Sequence, residues 1–566
     1  MKKFFNAFFG MYCLLAICGV SVYAESHPDA GTLLRETEKQ GVEVKEEGEV
    51  LYAPAEAKKV NKGEILYIKS FKFAGAKVLP EAELKRLLKD FIGRYVDVAE
   101  LDVITGMVAE YYAKKGYIVK VIVPEQEIKS GIVEIKIVKG HLEGIKTTGK
   151  KKRFNQKIAI RIVTGAQNMG TIIRTDKLER GMLILNDVPG VQARALLGSG
   201  TKEGGVAIDL HVKDTPLVGG SVGYDNYGLH STGTNRGVVG VHFNDPFGIG
   251  DQINGSFIYT GLMYYGSLAY SLPVGYSGMR AGLSTSYLGY KLGKEFSDVQ
   301  GRGKAFTVGP YVSYPLIRSR SKNMYVLMSF HHKKFTNETS GITNSDKKAD
   351  VGNVYINADA YDRFLSGGYT MGSVGFSLGG LNLKGNPDDY FHDSHGLQTH
   401  GIYSKLTFLV SRIQRVTDKT SLNLKVAGQF AFHNLDSSEQ FSLGGPDGVR
   451  AYAPGDVYGD HGFVATAELS RKLRGGFKIE GFYDLGYTVQ CFRTYAGWES
   501  VKRQKESYGL DAVGASLSWN PKNWFSAKVS VATAAALRNY DINKTRDFRG
   551  GIGKYSRILL QVTATL

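Results

Sequence analysis

Two pentapeptides, Gly219-Gly220-Ser221-Val222-Gly223 and Gly375-Phe376-Ser377-Leu378-Gly379, have the G-x-S-x-G spacing that presents a nucleophilic serine to an ester. That spacing works on a sharp strand-to-helix turn, which lifts the hydroxyl toward its base and oxyanion donors. Both occurrences instead lie inside alternating strand sequence, and a chain with 70 glycines meets the pattern by chance. His392-x-x-His395 with Asp393 offers two imidazoles and a carboxylate to a metal, but no further ligand accompanies them and the stretch reads as a surface loop. No phosphate-binding loop of the Walker type is present. The expectation is a chain without catalytic residues, metal or cofactor. One arrangement is left: GGPDGVRAYAPGD at 444–456 keeps a lone guanidinium, Arg450, in a turn-rich run, with Tyr452 two positions on.

At 566 residues the chain exceeds what one ordinary core holds, so it forms either several domains or one very large β-barrel. Gly 70, Tyr 33 and Phe 28 against Pro 14 favour many turns and aromatic strand surfaces. Residues 1–24 read as a signal peptide: Lys2 and Lys3, an apolar run from Phe4 to Val20, then Val22 and Ala24 placed for cleavage. Cys13 and Cys18 would leave with it, so Cys491 stays alone and no internal disulfide is expected. No later segment approaches the roughly 18 continuous apolar residues of a spanning helix. Membrane residence then requires a closed barrel, the other structure that satisfies its own backbone in lipid. The net charge of +17, or +15 without the two leader lysines, points to anionic lipid, an acidic protein client or simply a solvated basic surface, rather than to nucleic acid.

The elements follow from periodicity. Pro28 and Asp29 open a short helix within 25–45, and residues 46–64, rich in Glu, Lys, Gly and Ala, form a linker. From Ile65, ILYIKSFKFAG reads as a strand, LPEAELKRLLKDFIG and VAELDVITGMVAEYYAKKG as helices, and YIVKVIVPEQEIKSG and IVEIKIVKG as strands, giving an α+β module over 65–140. A second module spans 141–213, with TDKLERGMLILNDVPG as a helix and VQARALLGSG and GVAIDLHVKD as closing strands. Over 214–566 the helical period is gone. In SLNLKVAGQFAFH, Leu422, Leu424, Val426, Phe430 and Phe432 share one face, with Asn423, Lys425 and Gln429 opposite. Such a surface wants lipid outside and water within, and at ~10 residues per membrane strand plus connections the segment holds about 16 strands. Trp519 and Trp524 fall near strand ends. In IEGFYDLGYTV, Ile479, Tyr483, Leu485 and Tyr487 form the apolar face, so Phe482, Asp484 and Gly486 point together into the lumen.

This order of leader, helix, linker, two modules and barrel resembles the TpsB transporters of two-partner secretion, relatives of the filamentous-haemagglutinin transporter and the haemolysin activators. Stretches that look like theirs are Gly116-Tyr117 through Pro124, Gln126 to Gly131, LERGMLILNDVPGV at 178–191, and VGYDNYGLHSTGTNRGVVGVHFNDPFGIGDQI at 222–253. Val449-Arg450-Ala451-Tyr452 matches the family's Val-Arg-Gly-Tyr/Phe loop motif and Phe482-x-Asp484-x-Gly486 its Phe-x-Asp-x-Gly strand motif. The resemblance implies two periplasmic POTRA modules, a sixteen-stranded outer-membrane barrel, and a loop folded into the lumen whose Arg450 meets Asp484. Guanidinium can hold carboxylate at two points, which suits Arg better than Lys for fixing a long loop. Two departures are Ala451, where the family usually has glycine, and Leu566, where such barrels finish in Phe or Trp.

The implied function is export of a large secreted TpsA-type exoprotein, an adhesin or a haemolysin, by a monomeric pore embedded in outer-membrane lipid, with the client recognised by POTRA residues that the sequence does not single out. The helix is expected either to plug the lumen or to dock on a POTRA surface. GKKKR at 149–153 is expected to attract an acidic client or anionic lipid, or to be a solvated turn. An assembly factor of the same superfamily is the alternative function, disfavoured by the small number of modules. A passive porin leaves residues 65–213 without a purpose.

Overall fold

The computed structural model describes residues 28–38, 65–75, 78–126, 130–148, 153–495, 506–538 and 556–566. The expected leader (1–24), the linker (46–64) and all of the basic run except Arg153 lie outside the described residues.

The first module places helices Glu81–Leu87 and Val98–Lys114 against a three-stranded sheet in which Ser70–Ala74 runs parallel to Ile132–Lys139 and Val119–Ile122 pairs antiparallel on its other side. Asp97 starts the long helix with a reciprocal capping box to Glu100, which satisfies two amides that the first turn would leave unbonded. ILYIKSFKFAG is not one strand. Ile68, Phe71 and Phe73 are the buried residues, so the inward phase slips by one between 68 and 71, and the amides of Lys69 and Ser70 both donate to Gly131 O. Leu66–Ile68 consequently pairs with Arg94–Val96 in a separate ribbon.

The second module contains a helix that periodicity did not mark, Gln156–Ala166, capped by Asn155 and packed beside Thr175–Asn186 over a sheet of His141–Thr148, Gly205–Asp214 and Val191–Ser199. Main-chain hydrogen bonds join the modules: Ile173 N to Gly140 O at 2.8 Å, Thr175 N to Gly116 O at 2.9 Å and Ile118 N to Ile173 O at 3.4 Å. Arg174 lies over the Tyr117 ring at the same joint.

Sixteen antiparallel strands, from Val218–Asp225 to Ser556–Thr565, close into one barrel, the first and last pairing through Gln561–Thr565. Outward side chains alternate as lipid requires: Leu424, Val426, Phe430 and Phe432 are exposed, while Gln429 in the opposite phase is 3% exposed. Phe477, Trp519, Trp524 and Phe525 stack into an aromatic cluster around one turn of the barrel. Ser221 and Ser377 of the two G-x-S-x-G matches lie in mid-strand, in Val218–Asp225 and Gly368–Asn382, and neither sits on a strand-to-helix turn.

The second module docks under the barrel turns near residues 276 and 319. Arg318 holds Asp187 with two hydrogen bonds of 2.8 and 2.9 Å, Arg180 donates to Pro315 O at 2.7 Å, and Arg161 to the Tyr276 hydroxyl at 2.6 Å. Arg153, the described end of the basic run, donates to Thr215 O. Because Asp187 is 41% exposed, solvent screens its pair and limits its worth to about 1 kcal/mol. Arg318→Ala should therefore raise backbone hydrogen exchange at residues 183–189 several-fold and leave the heat-modifiable gel mobility of the barrel unchanged.

Candidate functional site: a clasp in the barrel lumen

The loop 432–460 joins strands Thr420–Ala431 and His461–Lys472 at the end of the barrel away from the modules, and turns back inside. A short ribbon, Phe441–Ser442 with Tyr458–Gly459, holds its two limbs together. The tip folds on itself: Val449 N donates to Leu443 O at 2.7 Å and Gly445 N to Tyr452 O at 2.9 Å. Any side chain at Gly448 would collide with the Leu443 carbonyl.

Arg450 leaves this tip for the wall strand Phe477–Val489. Its Nε donates to Asp484 Oδ2 at 2.8 Å and its Nη2 to Asp484 Oδ1 at 2.8 Å, while its backbone N reaches Oδ2 at 3.2 Å. Nη1 donates to Glu468 Oε2 at 3.1 Å on the neighbouring strand. The guanidinium carbon stands 3.3 Å from the centroid of Phe482, so the ring face covers the cation. Thr466 Oγ1 donates to Asp484 Oδ1, and Asp484 is fully buried. A buried charge is tolerated only when paired and hydrogen-bonded, and here both partners meet that condition.

The remaining motif residues fit this contact. Val449 and Tyr452 are buried with Leu443, Val464 and Phe482, and Tyr452 O accepts from Arg557 at 2.6 Å. Gly486 is required by close approach: a Cβ there would stand 2.8 Å from Val449 Cγ2. Ala451 is fully buried and lies outside the left-handed region, so alanine sits there without backbone strain. Leu566 is exposed, and its amide donates to Gly220 O at the barrel seam.

The N-terminal helix, Ala30–Glu38, lies inside the barrel. Ala30, Leu33 and Leu34 pack on Tyr265, Leu288, Tyr290 and Phe335 of the wall, and Glu38 accepts from Ser286 Oγ at 3.1 Å. Asp29 caps the helix through Thr32 N. The helix is bonded to the loop as well as to the wall. Lys347 Nζ contacts Asp29 at 3.1 Å and loop residue Asp436 at 2.6 Å, Ser437 Oγ donates to Asp29, and Arg35 donates to Ser437 O. Burial alone would raise the Asp29 pKa, but Lys347 and the hydroxyl of Ser437 hold it well below the usual carboxylate range. Glu439 of the loop, bridging Lys333 and Lys405 at 2.8 Å each, is held low in the same way against its burial.

Sequence reasoning did not find Glu468, Lys333, Lys347, Lys405 or Glu439. The phase of HGFVATAELSRK put Glu468 on the inner face, but a polar lumen has many inward charges and nothing local marks which is paired. The His392 and His395 stretch is a helix, Pro387–Ser394, rather than a loop. Asn386 caps it and Pro387 starts it, a start signal present in the sequence. Its carboxylate Asp393 accepts from Thr399 N and His400 N, His395 Nδ1 lies 2.9 Å from Phe391 O, and among the described residues no group of three or more His, Cys, Asp or Glu side chains is placed to hold a metal.

A lipid-facing barrel with α+β modules at one mouth and a lumen occupied by its own chain defines an outer-membrane protein transporter, with the modules on the periplasmic side. Residues 204–501 match the model of the haemolysin secretion/activation protein family ShlB/FhaC/HecB, and residues 66–140 match the ShlB-type POTRA domain. The chain belongs to that haemolysin secretion/activation family. It is 28% identical over 529 residues to the heme/hemopexin transporter protein HuxB of Haemophilus influenzae, covering 90% of this chain and 92% of the relative. It is 24% identical over 459 residues to the outer membrane transporter CdiB of Escherichia coli, covering 78% and 75%. The solved structure of CdiB from Escherichia coli superposes with a TM-score of 0.67 at 20% identity, over 94% of this chain and 95% of that one. These relatives are transporters.

Two outcomes follow from the clasp. Asp484→Ala leaves a buried guanidinium without its main partner and should cost the docked loop about 3–5 kcal/mol. Limited proteolysis of the folded protein should then cut within 443–456, where the parent resists. Asp456, half-buried beside Arg557 and bonded to Ala453 N, has its pKa pushed up to about 7 by desolvation. The docked loop binds this proton more tightly than a released one, so docking weakens as pH rises from about 4 through about 7. Hydrogen exchange at 449–456 should be faster at pH 8 than at pH 5.5 after correction for intrinsic rates, and Asp456→Asn should flatten that difference.

Proposed function

We propose that the chain exports one large TpsA-type exoprotein, of the adhesin or haemolysin class, from the periplasm to the cell surface. On this reading residues 65–140 and 141–213 are POTRA modules, 214–566 is the export barrel, and helix 30–38 is a plug that leaves the lumen during transport. The observation that carries it is the resting lumen: two segments of the chain fill it, and the helix and the loop tip are each tied to the wall through side chains. A passive porin has no use for such occupants or for an arm of two modules. The first module's sheet leaves Ser70–Ala74 at an edge. An extended client segment can add a strand to such an edge, since main-chain pairing gives affinity with little demand on sequence. No nucleotide from the cytoplasm reaches this membrane, so folding of the client outside supplies the bias for its movement.

Deleting the transporter gene should remove one large protein from the culture medium and leave the set of other outer-membrane barrels intact. Loss of those barrels with an unchanged medium would indicate an assembly factor. Deleting residues 25–45 should raise single-channel conductance in planar bilayers several-fold, whereas an unchanged conductance would show that the helix does not obstruct the pore.

A further inference from the structure

The helix and the returning loop divide the lumen, and the walls they cover differ in chemistry. The loop rests on strands whose inner faces carry Glu468 and Asp484, with Lys425 two strands away from Asp484. On the helix side the strand register aligns Ser221, Gly240, Ser256, Ser267, Ser286 and Thr307 in one row across six neighbouring strands. The lumenal direction of this row is fixed by the Glu38 contact to Ser286, by the Ser256–Ser267 hydroxyl pair at 2.7 Å, and by Tyr265 and Leu288, which share its phase and touch the helix. The next inward row toward the periplasm runs through Gly219, His242, Asn254, Ala269 and Ser284, where His242 is the one bulky ring among small side chains. Among the described residues, the charged groups on this face are confined to its two ends. Arg236 and Asp225 pair at the outer rim, and Arg280 bonds Gly250 O and Ser271 at the periplasmic end.

We propose that this wall, free of Lys, Arg, Asp and Glu between its ends and lined at mid-height by small residues, is the track along which an extended polypeptide client crosses the barrel once the helix has withdrawn, while the loop stays on the charged wall. The inference rests on the export reading above. Small side chains leave width for whatever the client carries, and hydroxyls exchange hydrogen bonds with a passing backbone without selecting a sequence. Fixed charges would do the opposite, because ion pairs gain strength where bulk water is excluded and would hold client side chains in place. The loop side offers no comparable room, since Gly486 already admits Val449 at a distance that no side chain would allow.

The test uses the full chain with Cys491→Ser and single cysteines at Ser267 on the track or Lys425 on the opposite wall. A bulky cationic methanethiosulfonate is added after the barrel has folded, as verified by heat-modifiable mobility. Export is measured as the amount in the medium of whichever protein disappears on deletion of the transporter gene, and open-state current is measured in planar bilayers, where no client is needed. Modification at position 267 should cut export at least tenfold and reduce the current, with less than a twofold effect on either from position 425. Ser267→Arg should reproduce the export loss and Ser267→Thr should retain export. Equal losses from both positions, a loss from 425 alone, or a current block without an export defect would overturn the track and leave the exporter reading standing. A medium unaffected by gene deletion would defeat the exporter reading, and the track with it.

Discussion

The arrangement of the lumen depends on one buried ion pair. Arg450 and Asp484 are joined by two parallel hydrogen bonds, roofed by Phe482 and braced by Glu468 and Thr466. Desolvating both groups is expensive, and their mutual attraction offsets that cost only while the geometry is kept. The pair therefore contributes position more than net stability. It fixes which part of a 29-residue return loop, 432–460, touches which level of the wall. Gly486 and Val449 then lock by contact, and the apolar residues around Tyr452 close over them.

A second set of charges builds on that placement. With the loop tip fixed, its descending limb brings Asp436, Ser437 and Glu439 against Lys347, Lys333 and Lys405, and the N-terminal helix completes the set through Asp29 and Arg35. Gly31 lies so close to Ser438 that a Cβ would come within 2.8 Å. Helix and loop thus share one cation, Lys347, and one tight packing contact. Moving either exposes a charge that the other helped to neutralise, which ties the two lumen occupants into one closed state.

The barrel was legible in the sequence because lipid imposes a strict two-residue period: Leu424, Val426 and Phe430 alternate with Lys425 and Gln429 in print as they do in space. The strand total followed from length alone. What was not legible has specific causes. ILYIKSFKFAG alternates well enough to read as one strand, and only the slip between Ile68 and Phe71 reveals two. Gln156–Ala166 carries β-branched residues that weaken a helical reading, and its one start signal is the cap Asn155. The clasp came into view through a family resemblance supported by the phase of Asp484. The Lys347 and Glu439 contacts join residues up to 318 positions apart, and no local pattern encodes which inward charges will meet once sixteen strands have closed.

The central claim is that Arg450 and Asp484 act on the loop as a pair. A double-mutant cycle measures this most directly, using hydrogen exchange of the 443–453 amides in Arg450→Ala, Asp484→Ala and the double variant. The account predicts strong non-additivity, with the double variant scarcely looser than either single one and a coupling comparable to the single-variant cost of about 3–5 kcal/mol. Additive loosening, or single variants as protected as the parent, would contradict it.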